Sequence, residues 1–159
     1  MSKYILDTDT CVYWLNGNEN IRGKAAQAGP ENLNTTIITY AELRYGAYNS
    51  GRAEENMRNI DNFFRKVGVI LLNRNASDRF GKIKAELRKR GQMIGDFDIL
   101  IASVALIYDA VLVTNNTAHF GRIPGLCCEN WVNPDAVVRI RICRIKGLGR
   151  ICVQPVNSA

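Results

Sequence analysis

The sequence has little of three features that would quickly assign a protein to a function class. It contains one histidine, His119, and five cysteines, none of which forms a Cys-x-x-Cys pair. The lone histidine argues against most histidine-based metal sites, and the odd number of cysteines indicates reduced thiols. No apolar run approaches the ~20 residues that a membrane-spanning helix needs. Zinc modules, disulfide scaffolds and integral membrane proteins are therefore not expected.

Size and composition are those of a globular protein. The 159 residues, 47% hydrophobic and 23% charged, fit one domain that buries about 70% of its unfolded surface. Met1-Ser2-Lys3 leads directly into a strand-like segment without the apolar core of a signal peptide. We therefore expect a cytoplasmic protein with no membrane partner.

Positive charge is concentrated in two places. The formal net charge is +6, and the segment 133–159 holds five basic residues against Asp135. A second basic group lies just before two acidic residues and comprises Lys82, Lys84, Arg88, Lys89 and Arg90. Such groups are either solvated surface or a footprint for a phosphate backbone. We predict RNA binding by the second group because it precedes a cluster of acids.

Strand-like and helical patterns alternate along the chain. Short apolar or β-branched runs predict strands at 3–7, 33–39, 67–72, 110–114 and 126–129. Helical patterns cover 20–28, 40–49, 53–66, 76–90 and 98–108, and a further helix capped by Thr8 or Asp9 extends to Leu15. Strands separated by helices predict a parallel sheet that is covered on both faces. The predicted fold class is α/β.

Acidic and amide residues stand where these elements end or begin. Asp7 closes the first strand, Asp98 precedes an apolar helix with Asp96 beside it, and Asn116 follows the strand at 110–114. Ligands of parallel sheets bind beyond the carboxyl ends of the strands, so these residues can meet there. Converging carboxylates repel by roughly 4 kcal/mol per close pair, and a divalent cation removes that cost. The pattern predicts a metal-dependent enzyme that acts on phosphates.

Each acid also has a simpler interpretation. Asp9 and Asp96 are residue types that cap helices, and Glu42 alone would be interpreted as a surface charge. Asp7 and Asp98 are harder to explain in this way, because a bare charge at the edge of a core is costly to bury.

Four segments in fixed order carry a family resemblance. They are 5–9 (Ile-Leu-Asp-Thr-Asp), 40–47 (Tyr-Ala-Glu-Leu-Arg-Tyr-Gly-Ala), 94–102 (Ile-Gly-Asp-Phe-Asp-Ile-Leu-Ile-Ala) and 113–120 (Val-Thr-Asn-Asn-Thr-Ala-His-Phe). Together with Glu129-Asn130-Trp131, they make residues 3 to about 132 resemble the PIN-domain ribonuclease toxins of the VapC type.

The resemblance implies a three-layer α/β/α domain with a parallel sheet of about five strands. It implies an endoribonuclease that depends on Mg²⁺ or Mn²⁺, cleaves structured RNA such as tRNA, forms a homodimer and is inhibited by a cognate antitoxin. The implied catalytic residues are Asp7, Glu42, Asp98 and Asn116. With Asp96, which lies beside Asp98, the predicted metal ligands are Asp7, Asp98, Glu42 and Asp96. Asn116 stands where the family frequently has aspartate, which leaves open whether one or two ions act.

The resemblance also suggests a domain boundary. Residues 1–132 are predicted to form the nuclease domain and 133–159 a basic C-terminal extension. Within the extension, 137–142 alternates apolar and basic residues and 150–153 could return as a partner strand. The extension is therefore expected to be either a hairpin or a segment without order.

Two other functions remain open from the sequence. Asp7-Thr8-Asp9 after a strand also resembles the nucleophile loop of haloacid-dehalogenase-like phosphatases, but Cys11 and Leu100 stand where that family has other residues. The second alternative is a non-catalytic RNA- or protein-binding relic of the nuclease fold.

Overall fold

The sheet organises the molecule. The computed structural model describes residues 3–133 and, beyond them, the backbone of 142–144 and 151–153. Five strands form a parallel sheet in the order β3-β2-β1-β4-β5; they are β1 (Tyr4–Leu6), β2 (Leu33–Thr36), β3 (Gly68–Ile70), β4 (Val111–Val113) and β5 (Cys128–Glu129). The predicted parallel sheet is confirmed.

Helices cover both faces of this sheet. They are α1 (Thr8–Leu15), α2 (Glu19–Ala28), α3 (Ile37–Tyr48), α4 (Ala53–Phe64), α5 (Arg74–Lys89), α6 (Asp96–Ile107) and the short α7 (Thr117–Phe120), with a 3-10 turn at Pro30–Asn32. In β1, Ile5 packs into a core with α5 and α6, whereas Leu6 packs into a second core with α1–α4. Since neighbouring strand residues face opposite sides of a sheet, these two cores make a three-layer α/β/α domain, as predicted.

Several predicted element boundaries were wrong near the ends of strands. The cap of α1 is Asp7 rather than Thr8 or Asp9, since its carboxylate accepts a hydrogen bond from the amide of Thr8. The predicted strand 33–39 stops at Thr36, whose hydroxyl accepts from the amide of Thr39 and starts α3. These polar side chains bond to the backbone locally, which favours helix starts over strand continuation.

The two helices that flank the acidic segment also start earlier than predicted. Asn73 caps α5, and α6 begins at Asp96 with Gly95 as its cap, so Asp96 lies in the first turn instead of capping. The predicted end of α5 is confirmed, because Gly91 has φ +64° and a residue with a side chain rarely adopts that conformation. The helix α7 was not predicted.

Beyond the sheet, two short strands pair with each other. They are β6 (Ile142–Arg144) and β7 (Ile151–Val153), and they are antiparallel with Cys143 opposite Cys152. This pairing agrees with a hairpin, although most of the predicted strand 137–142 lies outside the described residues. The domain boundary at 132 stays a prediction. None of the helices in the described ranges is long and apolar enough to cross a membrane.

Candidate active site

The strand order determines where the site lies. From β1 the chain moves to β2 and β3 on one side, whereas β4 and β5 add on the other side. The carboxyl ends of β1 and β4 therefore flank the switch point, the position where open α/β sheets bind ligands. Asp7 follows β1, and Thr114 with Asn115 and Asn116 follows β4.

Asp7 is buried at this position. Its side chain is 5% exposed, and its two oxygens accept hydrogen bonds from the amide of Thr8 (2.7 Å) and the hydroxyl of Thr114 (2.9 Å). Burial, followed by the negative charge of Asp9, raises the pKa of Asp7 from 3.8 to about 8. Asp98 adds to the same effect. Without a bound cation, Asp7 is therefore largely protonated at neutral pH.

Asp9 belongs to the same cluster. It lies in the first turn of α1, where its carboxylate accepts from the amide of Asn115 at 3.5 Å and from the hydroxyl of Thr10 at 3.3 Å. Burial raises its pKa as well. Asp9 was predicted to be a helix cap and not a site residue, although the Asp-Thr-Asp spacing at the end of a strand was a signal for it.

A chain of polar contacts joins Asp7 to Asp98. The hydroxyl of Thr114, which donates to Asp7, accepts from the amide of Asn116 at 3.0 Å. The side-chain nitrogen of Asn116 lies 2.8 Å from Nδ1 of His119, and that Nδ1 lies 3.4 Å from Oδ2 of Asp98. Three predicted catalytic residues are therefore brought together. Thr114 and His119 were not predicted as site residues, although both lie within the segment 113–120 that carries the family resemblance.

Glu42 reaches the site from a different helix. It is half-buried on α3, and the hydroxyl of Thr8 donates a hydrogen bond to its Oε2. This bond connects Glu42 to the residue that follows Asp7. Beside it, a cavity of about 310 Å³ opens between α1, α3 and α4; its lining includes Thr8, Val12, Glu42, Leu43, Asn56 and Asn59.

Asp96 and helix α5, which carries most of the second basic group, lie next to each other at the exposed side of the site. The exposed carboxylate of Asp96 is ion-paired with Lys84 of α5 at 2.7 Å, so a metal ion would have to share this carboxylate with a cation that already contacts it. Lys84 and Arg88 are one helical turn apart, which places both on this face of α5. Lys82 pairs instead with Asp78. The metal role of Asp96 and the RNA-binding role of the basic residues stay predictions.

The donor chemistry of the site fits a hard divalent cation. Asp7, Glu42, Asp98 and Asn116 offer oxygen atoms, and the raised pKa of Asp7 reflects a cost that a bound cation would remove. Among the residues that the structure describes, no three histidine, cysteine or acidic side chains converge as a complete ligand set. Magnesium sites in proteins commonly use one or two carboxylates and complete the shell with water and substrate phosphate. The residues therefore fit an open site of that type.

Comparison with known proteins defines the class. Residues 4–126 match the family model described as PIN domain. Ribonuclease VapC2 of Rickettsia felis is 37% identical over 130 residues, which covers 80% of this chain and 97% of that protein. The tRNA(fMet)-specific endonuclease VapC of Salmonella typhimurium is 37% identical over 137 residues, covering 82% and 99%. This chain therefore belongs to the VapC ribonucleases of the PIN-domain family.

A solved structure supports the same assignment. The DNA-bound VapBC complex from Salmonella typhimurium superposes with a TM-score of 0.79 at 35% identity, covering 82% of this chain and 99% of the matched chain. The phosphatase alternative is therefore wrong. About a fifth of this chain lies outside each match.

Proposed function

We propose that this protein is a metal-dependent endoribonuclease that acts as the toxin of a toxin–antitoxin pair and cleaves structured RNA, with tRNA as the substrate class. The observation that carries the proposal is the polar chain from buried Asp7 through Thr114, Asn116 and His119 to Asp98 at the switch point of the sheet. The printed names of the VapC relatives support RNA cleavage, and that of the Salmonella protein supports tRNA.

Each polar residue has a role in the proposed cleavage. Asp7 and Asp98 would hold the Mg²⁺ or Mn²⁺ ion, which supplies Lewis acidity toward a phosphate oxygen and toward water. Thr114 and the amide of Thr8 orient the carboxylate of Asp7. Glu42, itself oriented by Thr8, positions the attacking water. In-line attack on phosphorus then breaks the bond to the 3′ oxygen and leaves a 3′-hydroxyl and a 5′-phosphate.

Inducible expression in a bacterium, followed by 5′-end RNA sequencing, tests this function. We expect growth arrest and new 5′-phosphate ends at one or a few positions within tRNA when the wild type is induced. Asp7→Asn is the matched control, because it keeps the shape of the side chain and removes its charge. If the wild type gives no new ends over the Asp7→Asn control, the non-catalytic alternative would be favoured.

The antitoxin partner is also part of the proposal. The cavity between α1, α3 and α4 is bordered by Glu42 and Thr8 and has apolar lining from Val12 and Leu43. A short antitoxin segment bound there would cover the carboxylate of Glu42 and block access of RNA. The VapBC complexes among the solved structures support such a partner. A homodimer remains a prediction that light scattering would test.

Removal of the C-terminal extension should separate RNA affinity from catalysis. The truncation should follow Asn133, because the carbonyl of Val132 accepts from Asn20 and the amides of Val132 and Asn133 donate to Asn130. The deleted segment holds five basic residues and one acid, so RNA binding should weaken and its salt dependence should flatten by about 0.7 in log–log slope per lost phosphate contact.

Filter-binding titrations between low and high salt would measure RNA affinity and its salt dependence. Single-turnover cleavage at saturating RNA should be almost unchanged by the truncation. Replacement of Arg139, Arg141 and Arg144 by glutamine in the full chain is the matched control, because it removes charge without removing chain. If the truncated protein were insoluble while the full-length glutamine variant stayed soluble, the extension would belong to the folded domain.

A further inference from the structure

An exposed aromatic ring stands between the two acidic residues at the start of α6. Phe97 is 56% exposed, whereas Ile99 and Ile101, which follow it in the same helix, are fully buried. The next residue, Asp98, is a proposed ligand of the ion, and its carboxylate contacts His119 of α7. Phe97 therefore presents its ring to solvent one residue away from the proposed active site.

Packing within the domain does not explain the position of this ring. Phenylalanines that belong to the core are buried, as Phe63 and Phe120 are. Within the part of the chain that the structure describes, no second aromatic ring packs against Phe97. A single exposed apolar residue is common on protein surfaces and needs no explanation by itself. Phe97 is informative because of the charged groups around it.

Cationic side chains approach the start of α6 from two other elements. Lys84 of α5 contacts Asp96 at 2.7 Å, and Arg88 lies one turn further along the same face of α5. From the segment after α7, Arg122 donates a hydrogen bond to the carbonyl of Met93 at 3.2 Å, and the side chain of Met93 is 41% exposed. Proteins that bind single-stranded nucleic acid combine exposed rings, on which bases stack, with cations that contact the phosphates.

The distance between Phe97 and Asp98 suits one nucleotide. Consecutive Cα atoms are ~3.8 Å apart, and successive side chains of a helix diverge by about 100°. A phosphate bound to an ion at Asp98 and a base stacked on Phe97 would therefore belong to the same nucleotide or to neighbouring ones.

We propose that Phe97 binds the substrate by stacking on the base of a nucleotide next to the scissile phosphate. This inference rests on the proposed function, because it requires RNA as the substrate and an ion at Asp98. A ring stacks on any base, so Phe97 positions the strand and does not read its sequence. The bases inside a duplex are already stacked, and the nucleotide that Phe97 binds is therefore an unpaired one.

Two competing roles make different predictions. If Phe97 only held the first turn of α6, its loss would disturb Asp98 and therefore ion binding. If its ring only contacted another protein molecule, its loss would have the same effect on every RNA. Stacking alone makes the effect of Phe97 depend on the presence of one particular base.

Cleavage of RNA that lacks single bases tests the proposal. The substrate is a labelled tRNA that the wild type cuts, with the base on either side of the cut removed, one at a time, to leave an abasic ribose. Single-turnover cleavage with the full-length protein in excess gives the half-saturating concentration and the maximal rate. Removal of the stacked base should raise the half-saturating concentration of the wild type by about tenfold, and Phe97→Ala should do the same for intact RNA.

The two changes together should again cost about tenfold, because both remove the same contact. Phe97→Trp keeps a ring and should retain the affinity of the wild type. Tyr108→Leu is the matched control, because Tyr108 is an exposed aromatic residue that follows the other end of α6. Losses that multiply to about a hundredfold at both positions, or an unchanged half-saturating concentration in Phe97→Ala, would overturn the stacking role.

Calorimetric titration with Mn²⁺ distinguishes failure of this proposal from failure of the proposed function. Phe97→Ala keeps every proposed ligand and should bind Mn²⁺ as tightly as the wild type does, with thermal unfolding as the check on its fold. Weaker Mn²⁺ binding by the folded variant would overturn the proposal in favour of a role in holding Asp98. Absence of both cleavage and Mn²⁺ binding in the wild type would contradict the proposed function itself, and the role of Phe97 with it.

Discussion

Asp7→Asn and Asp98→Asn should each slow RNA cleavage by the purified protein by at least about a thousandfold, equivalent to about 4 kcal/mol of transition-state stabilisation. Both substitutions keep the side-chain shape but remove the negative charge that would hold the ion. Single-turnover cleavage of a labelled tRNA at saturating protein measures the effect. Asp61→Asn is the matched control, because Asp61 is an exposed acid whose carboxylate is paired with Arg44 and has no part in the proposed ion binding. Wild-type rates in either active-site variant would contradict the metal-nuclease mechanism.

Asp7→Asn should also change how stability depends on pH. In metal-free wild type, folded Asp7 keeps its proton up to about pH 8, whereas unfolded Asp7 releases it near 3.8. The folded state therefore binds more protons between these values, and the free energy of unfolding falls as pH rises, by at most about 1.4 kcal/mol per pH unit for one proton. The asparagine side chain of the variant has no proton to release, so the contribution of this position to the slope disappears.

Urea unfolding in EDTA from pH 5 to pH 8 measures the difference. We expect the Asp7→Asn variant to gain stability relative to wild type as pH rises, which also shows that its loss of cleavage is not a loss of folding. The shape of the site supports this result, because asparagine can still accept from the amide of Thr8 and donate to the hydroxyl of Thr114. If the free energy of unfolding changed with pH in the same way in both proteins, the pKa of Asp7 in the folded state would be close to its ordinary value.

Removal of divalent cations is the second large effect. EDTA should reduce RNA cleavage to background, and added Mg²⁺ or Mn²⁺ should restore it, whereas Ca²⁺ should not. The physical reason is that Ca²⁺ accepts irregular coordination with longer bonds and so polarises phosphate and water less. Because Asp7 is protonated in the metal-free protein at neutral pH, metal binding should release a proton.

Cleavage assays after dialysis, with titration of each ion, test the requirement. Calorimetry in two buffers of different ionisation enthalpy tests the proton release, and the Asp7→Asn variant is the control without that proton. Full activity in EDTA would require a metal-free mechanism. In that case His119, the only histidine, and Asp98, which it contacts, would be the first candidates for a general acid or base in the cleavage.

Much of the fold follows from local patterns. The apolar runs around Ile5 and Leu112 predicted buried strands, and the helical patterns between them required parallel crossovers with helices on both faces of the sheet. Gly91 marked the end of α5 because its backbone needs a conformation that glycine adopts readily. Boundaries failed where a polar side chain starts a helix directly after a strand, as Thr36 and Asp7 do. Such caps compete with strand continuation, and tertiary packing decides between them.

The sequence by itself made Asp7 and Asp98 candidates, because acids at the ends of apolar runs are costly unless partnered. The family resemblance added Glu42, and it agreed with the position of Asn116 after the strand at 110–114. Only the tertiary structure decided which groups surround them. The order of the strands brings Thr114 to Asp7, and α7 brings His119 to Asp98 across 21 positions of sequence. The same packing pairs Asp96 with Lys84. Sequence spacing carries no information on such contacts, because side-chain direction and burial are set by the assembled layers and not by the local pattern.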